Sequence, residues 1–67
     1  MQVGIRIAND AATNKRLAAQ AMRLDPEKVW LIGEDDGCKN ELVATGHTVE
    51  VLPAEAVFPD GVSEILG

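Results

Sequence analysis

Val3, Ile5 and Ile7 alternate with Gln2, Gly4, Arg6 and Ala8 at the start of the chain. A period of two over Gln2 to Ala8 predicts a strand with one buried face and one polar face. Asn9-Asp10 follows as a turn, and a short polar side chain there suits a helix N-cap, where it accepts from the first unpaired N–H groups. From Ala11 to Leu24 the period lengthens. Leu17, Ala18, Ala21, Met22 and Leu24 share one helical face, while Lys15, Arg16, Gln20 and Arg23 fall elsewhere. Asp25-Pro26 ends the helix, because the residue before proline avoids the α region.

Val29-Trp30-Leu31-Ile32 is apolar on both parities, as expected of a parallel strand covered on both faces. Gly33 closes it. Glu34-Asp35-Asp36 leads into a shorter helix, about Gly37 to Thr45, with Asp35 or Asp36 as cap and Gly46 just past its end. His47 to Leu52 alternates again, Val49 and Val51 pointing one way and Thr48, Glu50 and Leu52 the other. Pro53 stops it, and Pro59-Asp60-Gly61 is a turn. Val62, Ile65 and Leu66, spaced i, i+3 and i+4, predict a final helical turn.

The pattern is β-α-β-α-β with a tail, in a single domain over residues 1–67. Helical crossovers make the strands parallel and the connections right-handed. The middle strand is the most apolar, which favours the order 1-2-3; the order 2-1-3 would put the alternating first strand at the centre. In the first order both helices lie on one face. The other face must be covered by the tail (Val57, Phe58, Val62, Ile65 and Leu66) or by a second subunit.

Val29 to Leu52, reading VWLIG, a short turn, then ELVATGHTVEVL, resembles the opening β-α-β of a Rossmann-type domain. A helix ending in Gly-His before an alternating valine strand is common in that superfamily. The resemblance covers about a third of the chain and agrees with the fold read from the pattern: a minimal half-Rossmann-like α/β domain with a three-stranded parallel sheet, both helices on one face, and a short C-terminal helical tail. The turn departs from the family's G-x-G-x-x-G. It reads Gly33-Glu34-Asp35-Asp36-Gly37-Cys38, with Asp35 where the second glycine would admit a pyrophosphate. The resemblance therefore speaks for the fold and not for dinucleotide binding.

Composition narrows the function. With 46% hydrophobic residues the chain is too apolar for disorder, and no apolar run approaches the roughly 20 residues of a membrane helix. The first residues lack the basic and apolar stretches of a secretory signal. A lone cysteine gives no internal disulfide. The expectation is a soluble cytoplasmic protein. So small a domain is marginal by itself, which predicts a homo-oligomer.

Charge is uneven. Residues 1–33 carry five basic and three acidic groups, whereas residues 34–67 carry eight acidic groups and only Lys39. Direct nucleic-acid binding, which needs basic groups for phosphate, is disfavoured. An acidic surface suits a basic partner and also keeps a small protein soluble.

In parallel α/β sheets, sites form beyond the carboxyl ends of the strands. Asp10 follows the first strand there, and Glu34, Asp35 and Asp36 follow the second. Brought together they would resemble a magnesium site for phosphoryl chemistry, with Lys39 and Thr13 the only nearby cation and hydroxyl. As helix caps they need no further role. Cys38 in the first turn of the second helix reads as a small buried residue, since a thiolate there would face three carboxylates. His47 covers the last turn of that helix, and Arg6 is placed to pair with Glu50 across the sheet.

Three functions are consistent with this pattern. The leading one is a non-enzymatic interaction or inhibitor protein that docks on a larger basic, nucleic-acid-handling partner. Small phage-encoded inhibitors of host or defence machinery are of this kind. Its expected interface is Trp30, Glu50, Glu55, Phe58, Asp60, Ile65 and Leu66. The second is a nucleotide or metabolite binder using Asn9, Asp10, Thr13 and Gly33 at the helix N-termini. The third is a minimal magnesium-dependent phosphotransfer domain. The leading reading has no catalytic residue, no resident metal and no cofactor.

Overall fold

A computed structural model describes residues 1–66. The elements are β1 (Gln2–Arg6), α1 (Ala11–Leu24), β2 (Lys28–Ile32), α2 (Asp36–Ala44), β3 (Val49–Leu52) and β4 (Val62–Glu64). All pairings are parallel, and the strand order is β3-β2-β1-β4. The alternating parity of β1 and β3 and the doubly apolar β2 thus build the sheet that periodicity predicts, with β2 between β1 and β3.

The tail is the correction. Val62, Ile65 and Leu66 do not form a helical turn; Val62–Glu64 is a fourth strand, paired with β1 from Gln2 to Gly4. The sheet therefore has four strands, and β1 is internal. A lone helical turn is costly to nucleate, because it fixes several residues for one hydrogen bond. The open backbone edge of β1 offers hydrogen bonds at once, as in Ile65 N–H to the Gly4 carbonyl at 2.8 Å. Gly61, at φ +87°, makes the entry turn.

One face of the sheet carries the core. Val3 and Ile5 of β1 and Val29 and Leu31 of β2 pack against Leu17, Ala18 and Ala21 of α1 and Cys38 and Leu42 of α2. Both helices thus share that face. Each of the larger side chains stabilises the fold by about 2 kcal/mol. Capping is close to the sequence expectation. Asp10 caps α1, Asp25 ends it in the left-handed region at φ +48°, and Asp35, not Asp36, caps α2. His47 seals the α2–β3 turn. Its Nδ1 lies 2.9 Å from Thr45 Oγ1, and its Nε2 lies 3.3 Å from the Asp25 carboxylate.

The chain must return from β3 at one edge to β4 at the other. It does so as a non-helical strap, residues 53–61, across the face that has no helices. Phe58 lies flat on β1 at Gly4: a Cβ built on Gly4 would sit 2.6 Å from the Phe58 ring. Glycine is what allows this approach. The helices run on one face in one direction and the strap on the other face in the opposite direction, so all crossovers share one hand.

Candidate functional site

The loops after β1 and β2 meet at the carboxyl end of the sheet through Asn14. This side chain is 2% exposed on the buried face of α1. Its Oδ1 accepts from Ala8 N–H at 2.8 Å, and its Nδ2 donates to the Ala8 carbonyl and to Asp35 Oδ2, each at 2.9 Å. Asp35 in turn accepts from Cys38 N–H at 3.0 Å. A buried amide thus ties the end of β1, the first turn of α1 and the first turn of α2 together. Sequence reasoning missed it. The signal was present: Asn14 lies three, four and seven residues before Leu17, Ala18 and Ala21, a polar residue on an apolar stripe.

The expected ligand-binding residues are placed at this same end but are used internally. Asp10 accepts from the Thr13 hydroxyl and from Ala12 N–H. Those bonds, the hydroxyl first, hold its carboxyl below the ordinary carboxylate range. Cys38 N–H, then the Asn14 amide, do the same for Asp35. Asn9 is exposed in the β1–α1 loop, and Gly33, at φ +98°, turns the chain out of β2 over Ile7. Carboxylates therefore occupy the helix N-termini where a phosphate would sit. The groove beside them is lined by Leu31, Glu34, Asp35, Asp36, Lys39 and Val51. Among the described residues, no three acidic, histidine or cysteine side chains gather in a metal-holding group. Burial, then the charges of Asp35 and Glu41, push the Cys38 thiol up to about 11.

The Asp35 shift has a testable sign. Its native carboxyl titrates below its unfolded value, so its stabilisation is complete above the unfolded value and is lost as pH falls through the native one. Asp35→Asn keeps a capping oxygen but removes the charge. The variant is expected to be less stable than wild type at neutral pH. The gap should close as pH falls through and below the ordinary carboxylate range. Urea titrations at several pH values check this.

The interface residues divide. Trp30 and Phe58 are half-buried on the strapped face, with Glu50, Glu55 and Asp60 exposed around them. Ile65 instead turns towards the helical side and packs on the core, while Leu66 is exposed. Arg6 does not pair with Glu50. It lies 3.3 Å from Glu64, and Glu50 takes Lys28 at 2.9 Å. The reason is the fourth strand, which puts Glu64 beside β1, whereas Glu50 stands next to Lys28 on the neighbouring strand. Arg6 also stands over the Phe58 ring at 5.5 Å and Lys28 over Trp30 at 3.9 Å. Trp30 donates its indole N–H to Gln2 at 2.8 Å.

No protein-family model, no curated protein and no solved structure matches the chain. No helix among the described residues is long and apolar enough to cross a membrane.

Proposed function

We propose that this protein is a non-enzymatic docking module that binds the basic surface of a larger protein through the strapped face of its sheet. One observation carries this reading. The face carries the half-buried Trp30 and Phe58, and the strap that crosses it displays Val57, 77% exposed, between Glu55 and Asp60 in the chain, both exposed. Neither carboxylate has a cation within ion-pair distance among the described residues, whereas Glu50 and Glu64 on the same face are paired internally. An aromatic and apolar centre with an acidic rim fits the anatomy of a specific protein interface. The rim would steer a basic partner into place.

The titratable groups support the non-enzymatic part. Asp10 and Asp35 are shifted towards the charged form, the wrong direction for a general acid. Cys38 is shifted towards the neutral thiol, the wrong direction for a nucleophile. Each shift is accounted for by a cap or by burial.

The test is quantitative capture from an extract of the source cell on immobilised wild type and on Glu55→Lys/Asp60→Lys. Lys15→Glu on the opposite, helical side serves as the control. Proteins retained by wild type and by the control are expected to fall roughly 10-fold on the charge-reversed strap. Capture that the strap variant leaves unchanged contradicts the proposal.

A further inference from the structure

β4 is an edge strand with a free side. In its pairing with β1, Ile65 N–H donates to the Gly4 carbonyl, and Gly4 stands in register with Glu64. Backbone groups alternate in direction along a strand, so the N–H and C=O of Glu64 point away from the sheet. Val62–Glu64 contains no lysine and no proline, two of the devices that blunt an edge; its shortness and Glu64 are what limit pairing there. Exposed apolar groups gather beside it. Leu66 is 78% and Leu24 48% exposed, at a groove where Gln20 Oε1 is buried without a hydrogen-bond partner. At the other edge, Glu50 faces solvent and Pro53 ends β3.

We propose that a second copy of this chain pairs with β4, antiparallel about a two-fold axis at Glu64, joining the two sheets into one. The edge is self-complementary under that axis. Glu64 of each copy exchanges N–H and C=O with Glu64 of the other, and the exposed Leu66 of one copy falls opposite Val62 of the other. The two Glu64 carboxylates are brought near each other, and the Arg6 beside each one makes the cluster neutral overall. Leu24 and Ile65 line the same edge on the helical side. So short a strand makes a small interface, which places the dimer in the reversible class. This inference deepens the interaction-module reading by naming a self-association surface separate from the strap.

Sedimentation equilibrium from micromolar to millimolar concentration tests it, on wild type, Glu64→Ala and Glu64→Pro. Both variants lose the Arg6 ion pair. Only proline loses the outward N–H and fills the space where the second strand must lie, and its own N–H was not bonded to β1. Wild type and Glu64→Ala are expected to approach twice the 7.1 kDa chain mass, while Glu64→Pro remains monomeric with wild-type circular dichroism. A wild-type monomer throughout the range overturns the proposal, as does a Glu64→Pro dimer. Amide exchange decides the matter even if the proline variant does not fold. Protection of Glu64 N–H in wild type should rise with protein concentration, and protection that does not rise also overturns it. A monomer that still captures partners through Glu55 and Asp60 removes the edge pairing and leaves the docking reading intact.

Discussion

Asn14→Leu is expected to lower stability by about 3 kcal/mol, the sum of losing a buried amide's bonds and leaving its partners unpaired. The substitution keeps the size of the side chain and suits the helix better than asparagine does. It nevertheless strips Ala8 of partners for both its N–H and its C=O, and Asp35 of one of its donors. A chain of 67 residues has a total stability of roughly 3–10 kcal/mol. The variant should therefore be largely unfolded or melt roughly 12–24 °C lower. Asn40→Leu, at an exposed position of α2, is the control and should stay within about 0.5 kcal/mol of wild type. Thermal unfolding of the three proteins checks this. Equal, small effects for the two leucine substitutions would mean that the Asn14 amide is not the link between the loops.

The second large effect is a coupling. Phe58→Ala removes a half-buried ring from the open face and should cost about 2 kcal/mol. Gly4→Ala places a Cβ where the ring stands, 2.6 Å from its nearest carbon. The ring and the strap must shift, at about 2 kcal/mol. In the Phe58→Ala background that obstruction is gone. Gly4→Ala should then be neutral or stabilising by up to about 1 kcal/mol, because alanine loses less backbone freedom than glycine. The double variant is expected to be about 2 kcal/mol more stable than additivity allows. Additive effects would place Phe58 away from Gly4.

The elements formed where local chemistry was decisive. The alternation of β1, the apolar run of β2, the stripe from Leu17 to Met22 and the stop at Asp25-Pro26 each state one structure, while Leu24 of the same stripe is left exposed. Within residues 62–66, the i, i+3, i+4 spacing of Val62, Ile65 and Leu66 fits a helical turn. A strand from Val62 fits as well, and the bare edge of β1 decided between them. That is tertiary information, invisible in a window of five residues. The Arg6–Glu64 pair was hidden for the same reason, since it depends on which strand lies beside β1. The surface carboxylates were legible as caps, and Asp35 took the role left open between it and Asp36. Asn14 was legible in principle. Its position on the apolar face is a conflict between polarity and pattern, and a polar group buried there must find hydrogen-bond partners. The candidate interface was half legible. Trp30, Phe58, Glu55 and Asp60 share the strapped face, whereas Ile65, one residue beyond β4, turned inward to the core.

The docking surface and the β4 edge both depend on the strap crossing the open face of the sheet, since it displays Glu55, Val57 and Asp60 and carries the chain to β4. Proton NMR of the wild-type chain reads that crossing directly. With Phe58 stacked on β1, the Gly4 α-protons lie in the shielding zone of the ring. They should resonate well upfield of unstructured glycine and show Overhauser contacts to the Phe58 ring protons. Gly4 α-protons at unstructured positions, with no contact to Phe58, would contradict the strapped sheet and the docking surface built on it.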